Sequence, residues 1–228
     1  MLELGVLVPT RSRPHNVGPI VEAWHKTGAF GVADLLFVLD RDDAKYDQYV
    51  EEFGKYPGPK AVVLPEWKPL VPKLNEVAWE QAARYRNVAF CGDDHVPVTP
   101  NWANRLVEEH LTGPTILYGR DGLQDEKLPT WWSMSSRIVR AMGKMVPAKV
   151  QHLFCDNAVK ELGEEAGVLR YLDDLLIEHR HPFAGKAPAD AQYERVNRPE
   201  QYARDAAAYQ EWQRYGREVD VAVVRALS

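Results

Sequence analysis

The chain has 228 residues, of which 45% are hydrophobic, 10% aromatic and 27% charged, an ordinary globular composition that excludes disordered and fibrous classes. No apolar run approaches the roughly 18 residues that span a bilayer; the longest strongly apolar stretch is Leu35 to Leu39, and no membrane insertion is expected. Acids number 33 against 28 bases, a net charge of −5, which argues against a protein that grips nucleic acid through a broad electrostatic surface.

The first nine residues lack the cationic region and small-residue cleavage site of a signal peptide and read as a strand, so a cytoplasmic location is expected. Cys91 and Cys155 have no C-x-x-C spacing and are expected to be buried small hydrophobes. No repeat, low-complexity tract or linker interrupts the chain, so residues 1–228 are read as one domain.

Leu4 to Pro9 is a short apolar run, followed at helical spacing by Val17, Ile20, Val21 and Trp24 up to Gly28. The unit repeats as a strand at Leu35 to Leu39 and a helix on Tyr46, Tyr49, Val50 and Phe53. It repeats again as a strand at Ala61 to Leu64 and a helix on Leu74, Val77, Ala78, Ala82 and Tyr85. A fourth strand, Asn87 to Cys91, runs into Gly92-Asp93-Asp94-His95. Thr99-Pro100 reads as the cap and first turn of the next helix, and Thr115 to Tyr118 as a fifth strand. This alternation predicts an α/β fold with a mainly parallel sheet covered on both faces, whose ligand site lies at the carboxyl ends of the strands.

After residue 120 regularity weakens. Residues 131–155 carry Arg137, Arg140, Lys144 and Lys149 and no acid, a basic stretch in an acidic protein. Asp156 reads as the cap of a helix through Leu162, Val168 to Tyr171 and Leu175 to Ile177 as strands, and residues 199–228 as helical, packed by Tyr202, Tyr209, Trp212 and Tyr215.

The residues after the strands carry the chemistry. Asp93, Asp94 and His95 concentrate negative charge and one imidazole at a strand end, a set suited to Mn²⁺ or Mg²⁺ with a diphosphate; Gly-Asp-Asp is equally ordinary turn composition. Pro9, Thr10, Arg11 and Arg13 place two arginines and a hydroxyl in the turn after the first strand, where a phosphate can be held or where a basic turn is simply solvated. No G-x-G-x-x-G and no G-x-x-x-x-G-K-[ST] occurs, which removes dinucleotide-binding dehydrogenases and P-loop ATPases. Asp40 ends the second strand, in place to read a base or ribose, and Lys73 starts the third helix, facing the same crevice or solvent. His179 follows a strand and is either a further metal ligand or a packing histidine. Asp156 is a general base, a helix cap, or both. Trp131 and Trp132 offer an apolar platform for a sugar or base, or are divided between core and surface.

The order of strand, Pro9-Thr10-Arg11 turn, strand ending in Asp40, Lys73-Leu74-Asn75 helix start and Val88-Ala89-Phe90-Cys91-Gly92-Asp93-Asp94-His95 resembles the GT-A glycosyltransferases. Family-2-like and small bacteriophage-encoded members are the most similar. The resemblance implies a Rossmann-like GT-A domain with a nucleotide-sugar half at residues 1–120, an acceptor half at 121–198 and C-terminal helices at 199–228. It implies that Pro9, Thr10, Arg11, Arg13, Asp40, Lys73 and Asp93 border a nucleoside diphosphate sugar, a UDP-sugar first among them. Asp94, His95 and His179 are then the ligands of Mn²⁺ or Mg²⁺, Asp156 the base of an inverting member, and Trp131 and Trp132 the acceptor contacts. A strict Asp-x-Asp is absent, which leaves open which of Asp93, Asp94 and His95 touches the metal.

The expected activity is metal-dependent transfer of a sugar to a hydroxyl acceptor, such as a modified DNA base or a virion protein. Two rivals remain. A sugar-nucleotide pyrophosphorylase needs a glycine-rich turn that residues 8–14 lack, and a catalytically silent binding module would keep the fold without the metal.

Overall fold

The computed structural model describes residues 2–182, 185–186 and 190–227. Eight strands form a sheet in the order β3-β2-β1-β4-β7-β6-β8-β5. Strands β1 (Leu2–Pro9), β2 (Ala33–Asp40), β3 (Lys60–Leu64) and β4 (Tyr85–Phe90) are mutually parallel. They are joined by α1 (Val17–Lys26), α2 (Tyr46–Lys55) and α3 (Leu70–Gln81). Along β1, Leu4, Val6 and Val8 enter one core and Leu7 the other. Along β2, Leu35, Phe37 and Leu39 alternate with Leu36 and Val38. A strand with both faces buried reads as a continuous apolar run, which is why β2 was legible without alternation. Helices α1 and α2 and α4 (Trp102–His110) cover one face. The other face is covered by α3, α5 (Ser136–Met142), α6 (Cys155–Ala166), α8 (Pro199–Tyr215) and α9 (Arg217–Arg225).

The second half departs from the expected pattern in four places. Strand β7 (Trp132–Ser135) lies antiparallel between β4 and β6 (Ile116–Arg120); four residues, all buried, carry no period to read. The two strands expected at 168–177 are one, β8 (Leu169–His179), whose pairing to β6 jumps from Gly119–Leu172 to Arg120–Leu176. Gly119 is required at this irregularity, because a Cβ there would lie 2.6 Å from the Leu175 carbonyl oxygen. Helix α4 starts at Trp102 rather than Thr99. Asn101 takes a left-handed φ of 57°, and the Thr99 hydroxyl accepts the Leu176 N–H of β8 instead of capping. Helix α6 starts one residue before Asp156 and runs through Gly163 to Ala166, with Phe154 at its cap in a left-handed conformation, φ 64°.

The basic stretch does not face the strand ends. Lys144 pairs with Asp220 of α9 at 2.9 Å, Arg137 donates to the Leu227 carbonyl, and none of Arg137, Arg140, Lys144 and Lys149 lines the main cleft. Of the stretch, Lys144 is thus paired with an acid of α9, while Arg140 and Lys149 are exposed. Of the four aromatic residues expected to pack there, Trp212 is buried and Tyr209 stacks against it, whereas Tyr202 and Tyr215 are exposed.

Candidate active site

A cleft of about 290 Å³ opens at the carboxyl ends of β1, β2 and β4, the place the crossover topology leaves free of helix packing. At its β1 edge, Thr10 donates to Asp93 at 2.7 Å, so the Tyr49 hydroxyl 2.9 Å away gives its proton to Thr10 while accepting the Arg13 N–H. The Arg13 guanidinium bonds Asp93 at 2.9 Å and grips Asp190 through two bonds of 2.7 Å. Burial raises the Asp93 carboxyl to about 6 against the downward pull of Arg13. Asp190 caps α7 (Ala191–Val196), so Arg13 ties the C-terminal segment over the cleft.

Asp40 is fully buried. Its Oδ2 accepts from Lys73 at 2.6 Å and from Arg11 at 3.1 Å, while Oδ1 has no hydrogen-bond partner among the described residues. Burial pulls the Lys73 ammonium down, opposed by Asp40. Arg195 of α7 brings a further cation to the cleft, stacked 5.0 Å over the Trp67 ring. Arg11, Lys73 and Arg195 therefore converge from β1, α3 and α7 on one side of the cleft.

On the floor, Gly92 turns the chain after β4 and β5 (His95–Pro97) pairs antiparallel with the end of β8, setting His95 opposite His179. Residues opposite one another on neighbouring strands share a face, and the two imidazoles stack with centroids 4.1 Å apart. Asp94 lies against both: Oδ1 is 3.0 Å from His95 Nδ1 and Oδ2 is 3.4 Å from His179 Nε2. One donor atom from each of the three falls within 4.8 Å of the others. Asp94 is held well below the usual carboxylate range by the two histidines despite burial. Burial would push His179 down, but Asp121 and Asp94 raise it to about 9, and burial together with His179 pushes His95 down. Gly92 leaves this corner open, since a Cβ there would lie 2.6 Å from Asp94 Oδ1 and 2.8 Å from His95 Nδ1.

Asp121, just past β6, was not singled out in the sequence, although a residue directly after a parallel strand is the position that pointed to Asp40 and Asp93. It is buried, and its Oδ2 accepts the Thr130 hydroxyl at 2.7 Å and sits 3.5 Å from His179 Nδ1. Thr130 Oγ1 is in turn 3.3 Å from His95 Nε2. Asp205 of α8 was also missed; it accepts the N–H groups of Gln151, His152 and Leu153, which lead to α6.

The opposite wall is Leu153, Phe154, Cys155 and Asp156. Burial raises the Asp156 carboxyl, which accepts the Asn157 N–H at 2.9 Å inside the first turn of α6. Of the expected acceptor tryptophans, Trp132 lies at the cleft floor almost fully buried, its ring tilted at 44° against Phe90 with centroids 4.6 Å apart. Trp131 is not at the cleft. It is a core residue, 1% exposed, just before β7, its indole N–H donating to the Arg120 carbonyl, and it packs in the core on the other side of the sheet from Trp132. Pro9, Thr10, Arg11, Arg13, Lys73, Asp93, Asp94, His95, His179 and Asp156 all line the cleft, and Asp40 lies behind Lys73. Both cysteines are free and buried.

Among solved structures, the mannosyltransferase PcManGT of Pyrobaculum calidifontis, in complex with GDP-Man and Mn²⁺, is similar over 99% of this chain and 73% of its own, with a TM-score of 0.61 and 9% identity. S. aureus TarS is similar over 78% of this chain and 37% of its own (TM-score 0.58, 15% identity). The TarS 1–349 complex with UDP-GlcNAc matches over 95% and 74% (TM-score 0.58, 14% identity). This is the GT-A glycosyltransferase fold. The chain spans just over a third of the length of full TarS. No protein-family model matches the chain, and no curated protein does. The turn after β4 places Asp93, Asp94 and His95 at the cleft floor, and α6 begins the wall opposite Arg11, Lys73 and Arg195.

Proposed function

We propose that this chain is a metal-dependent glycosyltransferase that moves a sugar from a nucleoside diphosphate sugar to a hydroxyl acceptor. The observation that carries the reading is the Asp94-His95-His179 cluster on the cleft floor, between the cationic side of Arg11, Lys73 and Arg195 and the isolated carboxyl of Asp156. The residues fit a divalent cation. The Thr130 proton goes to Asp121, so Thr130 offers His95 Nε2 only a lone pair, while Asp94 offers Nδ1 only acceptor oxygens. No neutral tautomer of His95 satisfies both neighbours, and a cation between Nδ1 and Asp94 does. Mixed oxygen and imidazole donors suit Mn²⁺ better than Mg²⁺.

When bound, the metal supplies charge stabilisation for the departing diphosphate. Arg11, Lys73 and Arg195 bind the donor on the same side, their positive charge meeting phosphate oxygens in a site where water screens little. Asp40, buried behind them, holds Lys73 and Arg11 at the cleft wall. Asp156, raised by burial, takes the proton of the acceptor hydroxyl in an inverting reaction. The fold's Mn²⁺–GDP-Man and UDP-GlcNAc complexes in similar proteins support a nucleotide sugar. Among the acceptors implied by the phage-like resemblance, a hydroxyl on a protein fits better than DNA, because the wall at Leu153, Phe154 and Asp156 carries no cation and none of Arg137, Arg140, Lys144 and Lys149 lines the cleft.

The test is a thermal-shift panel of UDP, GDP, ADP, CMP and dTDP with Mn²⁺ and with EDTA, since a ligand of the folded state alone raises its melting temperature. Stabilisation by one nucleoside diphosphate that vanishes in EDTA and in Asp94→Asn is expected. No shift with any nucleotide overturns the reading in favour of a silent binding module.

A further inference from the structure

We propose that Asp121 is the positioning residue that orients both histidines of the metal cluster from outside it, and so selects which nitrogen of each faces the metal. The inference rests on the metal reading above. Its basis is a single buried carboxylate whose two oxygens have separate tasks. Oδ1 accepts the N–H groups of Leu123, Gln124 and Asp125 at 2.7–2.9 Å, which locks the carboxylate plane. Oδ2 accepts the Thr130 hydroxyl and lies 3.5 Å from His179 Nδ1, a buried nitrogen with no closer hydrogen-bond partner among the described residues.

The donor and acceptor roles then follow by elimination. With a cation at the cluster only one ring proton remains, and because a carboxylate only accepts, His179 keeps it at Nδ1 toward Asp121 and turns the Nε2 lone pair to the metal beside Asp94. Thr130 has spent its only proton on Asp121, so its oxygen accepts from His95 Nε2–H, which leaves the Nδ1 lone pair facing Asp94. Asp121 thus directs His179 by facing it and His95 through Thr130, giving a donor set of an Asp94 oxygen, His95 Nδ1 and His179 Nε2. Backbone pairing supports the placement: His179 N–H donates to the Asp121 carbonyl at 2.8 Å, so residue 121 and the second histidine are held by main chain as well. Outer carboxylates of this kind set ring orientation and ligand basicity at metal histidines.

The variant Asp121→Asn keeps an oxygen for the three amides but turns an NH₂ donor toward His179 and Thr130, so His179 Nδ1 must accept and Nε2–H points at the metal. Titrating the purified protein with Mn²⁺ alone, with free Mn²⁺ read by EPR, is expected to show affinity weakened about 10–100-fold. Pulsed EPR of the bound ion is expected to show two coordinated imidazole nitrogens in the wild-type protein and fewer in Asp121→Asn, where the Thr130 proton is also freed to turn toward His95 Nε2. Thr130→Val removes only the link to His95 and leaves the carboxylate cap intact; it is expected to lose the His95 imidazole signal, and it serves if Asp121→Asn fails to fold. Wild-type affinity and two nitrogens in either folded variant overturn the proposal while leaving the metal site in place. Wild-type protein that binds no Mn²⁺, or Asp94→Asn that binds it unchanged, overturns the metal reading itself.

Discussion

Lys73 Nζ lies 2.6 Å from Asp40 Oδ2, and both side chains are almost completely withdrawn from water. The pair joins the first turn of α3 to the end of β2, so a contact between residues 33 apart in sequence defines one wall of the cleft. Removing one partner of a buried pair leaves the other charge uncompensated. Lys73→Met is expected to cost about 3 kcal/mol in urea denaturation, toward the low end because Arg11 still reaches Asp40. Adding Asp40→Asn to it should recover part of that loss; equal stability of wild type and Lys73→Met would show that the pair is not a net electrostatic contact.

His179 gives a signed pH dependence. Its pKa rises from 6.5 to about 9 in the folded, metal-free protein, so the ion pairs with Asp94 and Asp121 contribute stability that is complete below pH 6.5 and is lost as pH rises through about 9. Mn²⁺ needs the neutral ring, so its affinity should move the opposite way and strengthen with rising pH up to about 9. Melting curves in EDTA and in Mn²⁺ from pH 6 to 10 should therefore converge at low pH and separate at high pH. Parallel curves would count against His179 as a ligand.

Asp156 separates chemistry from binding. Asp156→Asn is expected to lower the transfer rate by about 10²–10⁴ while leaving the Mn²⁺-dependent affinity for the nucleoside diphosphate unchanged by calorimetry. Because burial raises its pKa, the rate of the wild-type enzyme should fall on the acid side at a pH above the ordinary carboxylate value of 3.8. Full activity in Asp156→Asn would assign it to capping α6.

Asp205 carries no chemistry yet should matter. Asp205→Ala leaves three partly buried N–H groups, those of Gln151, His152 and Leu153, without that acceptor. The expected loss is about 3 kcal/mol, with faster hydrogen exchange at those three amides and a slackened entry to α6. Unchanged protection there would mean that water replaces the carboxylate.

The part of the site that was legible in the sequence lies on the parallel half. Thr10, Arg11, Asp40, Asp93 and Asp94 follow strands whose apolar runs are unmistakable, and in a parallel sheet every such end points to one edge. Trp131, expected at the acceptor side, lies in the core just before β7, because it and every residue of β7 are buried and leave no period from which to tell one face from the other.

By itself the sequence determined the order of strands and helices through residue 120 apart from the short strand β5, and the types of side chain available at their ends, since hydrophobic periodicity and turn chemistry are local. Only the tertiary structure decided which of them meet. The pairing of β5 with β8 brings His179 opposite His95 across 84 residues, the β6 end sets Asp121 behind both, and α7 returns Arg195 to a cleft built mostly from residues far earlier in the chain. Those contacts follow from strand register and packing, which are settled by the burial of whole faces and leave no signal in any short stretch of residues.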